Sequence, residues 1–281
     1  MSDHQAFSAG NVAVITGAAD GIGYAAAKRF ATAGLHVLMA DINAENLATA
    51  VATVSAMALE HGTRVESRIV DVSKFDDVRV LKDTAMSTFG RVDVLMNNAG
   101  TSVKTTSWSA LDLWQHLIGV NMWGVIHGIQ AFTEMMIAQT SPSIIVNTGS
   151  KQGITNPPGN PAYNVSKAGV KAATESLQHA LRNTENCQVS AHLLVPGYTF
   201  TGLTKAKEKP AGAWSPEQVI DYLIEAVNRG SFYIICPDNE VSSAEDSRRI
   251  LWAAGDLVHN RVPLSRWDAA YEHEYDSFEV T

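Results

Sequence analysis

The chain has 281 residues, of which 46% are hydrophobic and 18% are charged. This composition is ordinary for a globular protein and supplies enough apolar side chains for a sizeable core. The formal net charge is −8 and no run of clustered Lys and Arg is present, which argues against binding to nucleic acid or to anionic membranes.

The cysteines and the N-terminus bear on the compartment. Cys187 and Cys236 are far apart in sequence, which excludes Cys-x-x-Cys zinc and redox motifs and fits a reducing environment. The N-terminus has no positively charged region followed by an apolar stretch, and no segment approaches the roughly 18 apolar residues of a membrane span. We therefore expect a cytoplasmic protein that does not interact with membranes.

Short β-branched runs alternate with longer helical segments along most of the chain. The predicted strands lie at residues 12–16, 36–41, 65–71, 93–97, 143–148, 189–195 and 232–236. The predicted helices lie at residues 21–33, 44–60, 74–89, 110–138 and 161–184. Strands separated by helices imply right-handed βαβ units, and strands that are apolar almost throughout imply a sheet covered on both faces.

The predicted fold class is therefore α/β: a doubly wound, Rossmann-type three-layer sandwich with a seven-stranded, mostly parallel sheet. No repeat, low-complexity linker or change of composition divides the chain. We expect one domain over residues 1–281, with a C-terminal helical extension at about 240–281.

Ligands of such sheets bind at the carboxyl ends of the strands, so chemical motifs should directly follow strands. The first strand continues into the glycine-rich segment Thr-Gly-Ala-Ala-Asp-Gly-Ile-Gly. Glycines allow a tight turn and the close approach of a pyrophosphate, and the next helix points its free N–H groups at it. Such a segment can also be a simple strand–helix turn, but its place after the first strand favours a dinucleotide. The predicted contacts are Gly17, Asp20, Gly21, Ile22 and Gly23.

Asp41 ends the second strand, close to the separation of about 20 residues at which such sheets place a ribose-binding acid. A carboxylate there accepts hydrogen bonds from the adenosine ribose and repels a 2′-phosphate. No cation is nearby, and Ile42 follows directly, so the predicted cofactor is NAD, with NADP disfavoured. The alternative is that Asp41 caps the next helix.

The third and fourth strands also end in polar residues. Asp71, followed by Val72, either accepts a hydrogen bond from the adenine amino group or caps the helix that begins near residue 74. Asn98, Ala99 and Gly100 follow the fourth strand, and their small size suits a backbone packed against the adenosine ribose.

Tyr163 and Lys167 are four residues apart on a predicted helix and therefore share one face. A phenol has an ordinary pKa of about 10, and a neighbouring ammonium lowers that pKa toward neutrality. Ser150 follows the fifth strand and is placed to hydrogen bond the substrate oxygen. Asn121 is a polar residue in an apolar helical segment and needs partners, which a water chain to Lys167 would supply. Each residue alone also has an ordinary structural interpretation, but their order and placement together favour an acid/base site.

On these residues the chain resembles the short-chain dehydrogenase/reductase family over about residues 10–240. The motifs are Thr-Gly-x-x-x-Gly-x-Gly, Asn98-Ala99-Gly100, Tyr163-Asn-Val-Ser-Lys167 and Pro196-Gly197. The resemblance implies a catalytic tetrad of Asn121, Ser150, Tyr163 and Lys167, with Lys167 also bonding the nicotinamide ribose. It implies that the segment containing Pro196, Gly197, Thr199 and Thr201 positions the carboxamide, although the family usually has Val or Ile where Thr199 stands.

The implied activity is interconversion of a secondary alcohol and a ketone, by hydride transfer at nicotinamide C4 with Tyr163 as acid/base. The implied assembly is a homotetramer or dimer built through the helices around residues 110–138 and 161–184. Two alternatives stay open: a catalytically silent NAD-binding regulatory or scaffold protein, and an epimerase or dehydratase on a related fold.

Three loops, at residues 101–107, 151–160 and 198–214, are expected to set the substrate. Near the C-terminus, Trp267, Tyr271, Tyr275 and Phe278 recur at helical spacing. This pattern predicts an amphipathic helix that docks on the core or on a neighbouring subunit, or that closes over the substrate pocket.

Overall fold

The computed structural model of the chain describes residues 4–204 and 207–280. Seven strands are found: β1 (Val12–Thr16), β2 (His36–Asp41), β3 (Val65–Ile69), β4 (Val94–Asn97), β5 (Ser143–Thr148), β6 (Val189–Val195) and β7 (Tyr233–Ile235). The helices that follow β1 to β4 are α1 (Gly21–Thr32), α2 (Ala44–Leu59), α3 (Phe75–Phe89), α4 (Leu111–Ile118) and α5 (Gly124–Ala138). The later helices are α6 (Gln152–Thr155), α7 (Pro161–Arg182), α8 (Pro216–Asn228), α9 (Ser243–Val258) and α10 (Glu272–Asp276).

The strands form one sheet in the order β3-β2-β1-β4-β5-β6-β7, and every neighbouring pair is parallel. The predicted Rossmann-type α/β fold is confirmed. The chain order reverses between β1 and β4, which leaves a crevice at the carboxyl ends of these central strands.

Alternate residues of each central strand pack on opposite faces of the sheet. Ala13 and Ile15 face the helices α1, α2 and α8, whereas Val14 faces α3, α5 and α7. This explains why the central strands are apolar at most positions. The edge strand β3 differs from the prediction, because it ends at Ile69 and four of its five residues are exposed.

Two helical regions also depart from expectation. The predicted helix at 110–138 is interrupted by a π-helical turn at Gly119–Trp123, and α8 was not predicted. The predicted amphipathic helix near the C-terminus is wrong in extent: two 3₁₀ turns, Ser265–Trp267 and Ala269–Tyr271, precede the five-residue α10.

Of the four aromatic residues in this segment, Tyr275 and Phe278 pack edge-on against the buried Trp252 of α9. Trp267 keeps 40% of its surface exposed. That residues 1–281 form a single domain stays a prediction. Within the described ranges, no helix combines the length and apolar content needed to cross a membrane.

Candidate active site

A cavity of about 490 Å³ opens at the carboxyl ends of the central strands. The predicted site residues that line it are Gly17, Asp20, Gly21, Ile22, Asp41, Asn98, Gly100, Ser150, Tyr163, Lys167, Pro196, Gly197, Thr199 and Thr201. The predicted site residues outside its lining are Gly23, Ile42, Asp71, Val72, Ala99 and Asn121. The structure thus brings most of the predicted cofactor and catalytic residues to one crevice.

The glycine-rich segment forms a cradle in which side chains would not fit. Gly17 has a φ of +65°, and a Cβ there would lie 2.8 Å from Cα of Ala99. A Cβ on Gly23 would collide with the carbonyl oxygen of Gly17, so this glycine sets the packing of α1 against β1. The cradle ends at the N-terminus of α1, where free N–H groups favour an anion. These residues fit the pyrophosphate of a dinucleotide.

The Asp41 carboxylate is held at the edge of this cradle by backbone N–H groups. Oδ2 accepts a hydrogen bond from Ala19 N at 3.1 Å, and Oδ1 accepts one from Asn43 N at 2.9 Å. The cap of α2 is made by the side chain of Asn43, which accepts from Asn46 N, and not by Asp41. Asp41 also lines the cavity, which is the place that a ribose-binding acid requires.

Asp71 does not cap α3, whose N-cap is Lys74, and a hydrogen bond from the adenine amino group to Asp71 stays a prediction. Its Oδ1 accepts hydrogen bonds from the Ser73 hydroxyl at 2.6 Å and from Ser73 N at 3.1 Å, and Lys74 Nζ lies 3.3 Å from Oδ2. These hydrogen bonds and the ammonium outweigh desolvation and lower the pKa of the carboxyl. Val72 is buried, and Ile42 is 65% exposed at the end of β2.

Asn98 ties the cradle to the catalytic half of the site. Its side-chain amide donates to the carbonyl oxygen of Thr16 at 3.1 Å, and its Oδ1 accepts from the Thr148 hydroxyl at 3.3 Å. The Thr16 hydroxyl in turn accepts from the backbone N–H groups of Asn98 and Ala99. The ends of β1, β4 and β5 are therefore cross-linked at the bottom of the cavity.

Tyr163 and Ser150 meet on the wall of the cavity, although they come from different elements. Tyr163 lies in the first turn of α7 and Ser150 follows β5, and both residues line the cavity. Burial raises the pKa of the Tyr163 phenol, and the nearby Ser150 hydroxyl partly opposes this. The pair thus holds a protonated phenol beside a hydroxyl, both accessible from the cavity.

Lys167 lies behind Tyr163, with Nζ 5.8 Å from the centre of the phenol ring. Its ammonium donates to the carbonyl oxygen of Thr148 at 2.8 Å, and burial lowers its pKa to about 8. Desolvation dominates at both groups, since burial raises the pKa of the phenol and lowers that of the ammonium. That Lys167 lowers the pKa of Tyr163 stays a prediction.

Asn121 is fully buried in the π-helical turn between α4 and α5. Its side chain accepts from Thr101 N at 2.8 Å and donates to the Thr101 carbonyl oxygen at 3.0 Å. A Cβ on Gly100 would lie 3.5 Å from Asn121 Oδ1 and 3.9 Å from Lys167 Nζ, so all three residues adjoin. Single π-turns inside α-helices are frequent at functional sites. Asn121 is placed to hold the loop after β4 in front of Lys167.

The segment that follows β6 covers the cradle. Asp20 caps α1 by accepting from Gly21 N at 2.7 Å, and its other oxygen accepts from Gly202 N at 2.9 Å. The Thr201 methyl group lies against Gly21. Thr199 is buried and forms an isolated parallel bridge with Trp214. This bridge joins the beginning and the end of the 198–214 loop. Lys205, in the same loop, lies outside the described residues.

Lys151 is a functional-site residue that sequence reasoning missed. It directly follows Ser150, and its Nζ lies 2.7 Å from Asp246 of α9 and 3.5 Å from Asp238. Both carboxylates are more than nine-tenths buried. Asp238 also accepts from Tyr198 N at 3.0 Å, so the same cluster holds the segment after β6. No local pattern indicates this cluster, because Lys151 and Asp246 are far apart in sequence.

A metal site is not part of this arrangement. In the part of the chain that the structure describes, no group of three or more His, Cys, Asp or Glu side chains is placed to hold a metal ion.

Comparison with known proteins supports this interpretation. A family model described as short chain dehydrogenase matches residues 11–212. A 3β-hydroxysteroid dehydrogenase of Eggerthella lenta is 32% identical over 74% of this chain and 78% of its own. A 1-deoxy-11-β-hydroxypentalenate dehydrogenase of Streptomyces avermitilis is 32% identical over 86% of this chain and 90% of its own.

Solved structures show the same fold. A short-chain dehydrogenase/reductase from Burkholderia phymatum in complex with NAD has a TM-score of 0.83 and 31% identity, and the match covers 94% of this chain and 98% of that one. An alcohol dehydrogenase from Thermococcus sibiricus complexed with 5-hydroxy-NADP has a TM-score of 0.69 and 25% identity, over 77% of this chain and 90% of that one.

Proposed function

Because the chain belongs to the short-chain dehydrogenase/reductase family, we propose that it is an NAD-dependent oxidoreductase that interconverts a secondary alcohol and a ketone. The observation that carries the proposal is that Tyr163 and Ser150 line the same cavity as the glycine cradle. A proton-transfer group and a dinucleotide cradle in one crevice are what this reaction needs.

The chain's own residues handle the proton and the oxygen. The raised pKa of Tyr163 keeps the phenol protonated near neutral pH, so it is ready to donate its proton to a carbonyl oxygen during reduction. Ser150 donates a hydrogen bond to the same oxygen and orients it. In the oxidation direction the phenolate takes the proton from the alcohol. The bound nicotinamide supplies or accepts the hydride at C4.

Lys167 and Asn121 act as supports in this scheme. Lys167 is held by the carbonyl oxygen of Thr148, and its ammonium is available to the nicotinamide ribose that the family places there. Asn121 fixes the loop at Thr101, which borders the cavity beside Lys167.

The preference for NAD over NADP rests on the charges at the ribose end of the cavity. Asp41 presents a carboxylate there, and the only Lys and Arg residues among the described lining are Lys151 and Lys167, at the catalytic end. A 2′-phosphate would face a negative charge without a cation to offset it.

The proposed substrate is an alcohol or ketone with a hydrophobic portion. Tyr198 and Leu203 line the cavity and are 41% and 43% exposed, so they offer apolar surface to a ligand. The hydroxysteroid and hydroxypentalenate dehydrogenases that this chain is similar to have hydroxylated, largely hydrocarbon compounds in their names.

Replacing Tyr163 tests the proposal. With NADH and a panel of apolar ketones, Tyr163→Phe is expected to lower kcat by about 10²–10⁴-fold, the usual contribution of a general acid, while NADH binding is retained. Tyr233→Phe is the matched control. Tyr233 lies on the edge strand β7, its hydroxyl donates a hydrogen bond to Glu175, and it does not line the cavity. Turnover of Tyr163→Phe within a few-fold of the wild type would contradict the assignment. A wild-type protein that binds NADH and reduces no ketone would support the catalytically silent alternative.

We also propose a homo-oligomer built through the helices at 110–138 and 161–184. The large apolar side chains of Leu111, Trp123 and Val165 are 69%, 48% and 46% exposed on these segments. Burying such side chains against a second copy would remove apolar area from water. Light scattering on the purified protein measures the mass, and a monomer at micromolar concentration would contradict the proposal.

A further inference from the structure

A second cavity, of about 240 Å³, lies between α6, α9 and residues 263–267. We call it the C-terminal cavity. The residues that matter for its chemistry are Ile154, Arg249, Leu257, Leu264, Arg266 and Trp267. Helix α6 separates it from the cavity described above, and neither the proposed hydride transfer nor the dinucleotide cradle uses any of these residues.

Positive charge is concentrated at this cavity, in a chain whose net charge is −8. Glu245 forms ion pairs with two neighbouring arginines, at 3.5 Å from Arg248 Nε and 2.7 Å from Arg249 Nε. Arg266 has no such partner: among the described residues, no carboxylate oxygen lies within 4.0 Å of its guanidinium nitrogens. Of the two arginines that line the cavity, Arg249 thus has a carboxylate within 4.0 Å and Arg266 has none among the described residues.

Arg266 is held in this place by packing. Its guanidinium lies over the rings of Trp267 and Tyr275, at 4.9 Å and 5.4 Å from their centres. Burial, and next the charge of Arg249, lower the pKa of Arg266. A desolvated cation beside another cation is stabilised when an anion binds between them.

The acidic residue in the cavity wall does not cancel this field. Asp256 forms an ion pair with Arg261 at 2.9 Å and accepts hydrogen bonds from the backbone and the hydroxyl of Ser265. The negative charge of Asp256 is therefore paired with Arg261, which does not line the cavity.

Most of the remaining wall is apolar, and parts of it are accessible. Leu257 is 87% exposed and Trp267 is 40% exposed. The other apolar wall residues are Ile154, Trp252, Ala253, Pro263 and Leu264, and the polar ones are Thr155 and Asn156. A bare inorganic anion would leave this surface unused, whereas a compact organic acid would cover it.

We propose that the C-terminal cavity binds a small organic monocarboxylate, with the carboxylate on Arg266 and the hydrocarbon part against Leu257, Leu264 and Trp267. The planar guanidinium matches a carboxylate in a two-point contact. The site differs in position and in chemistry from the site of hydride transfer, so each can fail without the other.

The test is a calorimetric titration of the full chain with phenylacetate, in the absence of dinucleotide and of any alcohol or ketone. Binding of phenylacetate is expected, with phenylacetamide at least tenfold weaker because it has the same shape and no charge. Arg266→Gln should weaken phenylacetate binding at least tenfold and leave phenylacetamide unaffected. Arg79→Gln is the matched control, since Arg79 is an exposed arginine paired with Asp76 on α3, and it should bind as the wild type does.

Three outcomes would overturn the proposal. The first is that no binding heat is measured at 20 mM phenylacetate, which is roughly a threshold for weak specific binding. The second is an equal affinity for the acid and the amide, and the third is an unchanged phenylacetate affinity in Arg266→Gln. The acid–amide comparison uses the wild type alone, so it decides the matter even where Arg266→Gln does not fold. Adding saturating NAD should not change the phenylacetate affinity, because the two cavities lie on opposite sides of α6.

Discussion

Lys167 is expected to make the stability of the ligand-free protein rise with pH. The residue is only 4% exposed, and burial lowers its pKa from the ordinary 10.5 to about 8. Between these two pKa values the unfolded chain binds the proton more strongly than the folded protein does. Within this window folding releases a proton from Lys167, and the free-energy cost of that release falls as the pH rises. The free energy of unfolding therefore increases with pH until the lysine is neutral in both states.

The size of the effect follows from the two pKa values. At pH 7 the lysine is charged in both states, and burying that charge costs roughly 3 kcal/mol. At pH 9.5 the folded protein carries a neutral amine, while the unfolded chain is still mostly protonated, and the cost falls to roughly 1.4 kcal/mol. The contribution of Lys167 to the free energy of unfolding should thus increase by about 2 kcal/mol between pH 7 and pH 9.5.

The assay is urea unfolding of the wild type and of Lys167→Met at both pH values. Other groups act in the opposite direction at alkaline pH, since the Cys236 and Tyr233 pKa values are raised to about 12. The difference between wild type and variant cancels these contributions, because both proteins contain them. Lys171→Met, at a partly exposed lysine paired with Glu175 one turn further along α7, should show no such pH-dependent difference. A wild-type minus Lys167→Met difference that stays flat would refute the argument that burial controls this lysine.

Three further substitutions test other parts of the site. Asp41→Asn removes the negative charge at the ribose end of the cavity. In steady-state assays the kcat/KM with NAD divided by that with NADP should fall about ten- to hundredfold. An unchanged ratio would contradict the argument for the NAD preference. Gly23→Ala places a methyl group against the carbonyl oxygen of Gly17, so NADH affinity, followed by fluorescence titration, should drop at least about tenfold, with roughly 1–3 kcal/mol lost from stability. Lys151→Met leaves the Asp246 carboxylate buried without its partner. The free energy of unfolding in urea should fall by roughly 3 kcal/mol, and KM for the ketone should rise. Wild-type stability of this variant would show that the ion pair is not needed.

Much of the sheet could be predicted from the sequence because its signals are local. Strands β1, β2, β5 and β6 have the predicted bounds, since each is an apolar run bounded by polar or glycine residues. The candidate site followed from the same pattern, because parallel strands end at one edge and the motifs directly follow them. Helix α8 was missed although its signal is present: Ser215 and Gln218 form a capping box, with Pro216 at the first helical position.

Other features have no local signal. The pKa of Tyr163 also depends on burial, which raises it, and burial cannot be read from the i, i+4 spacing to Lys167. The C-terminal aromatic spacing indicated one helix, but Leu264 adopts a left-handed φ of 61° and Asp268 caps a new turn, so the helix is broken. Packing of Tyr275 and Phe278 on Trp252 compensates for the lost helical hydrogen bonds.

The cluster of Lys151, Asp238 and Asp246 shows why the segment after β7 matters to the catalytic half of the site. Burying three charges costs more than burying three apolar side chains of the same size, so stability alone does not explain the cluster. An apolar contact tolerates sliding, whereas an ammonium between two carboxylates is satisfied in few positions. Lys151 is bonded in sequence to Ser150, and Asp238 also accepts from Tyr198 N, so one ammonium sets the spacing between two walls of the cavity. Helix α9 supplies Asp246 to this cluster, so the segment after β7 helps to fix the wall of the cavity that contains Ser150.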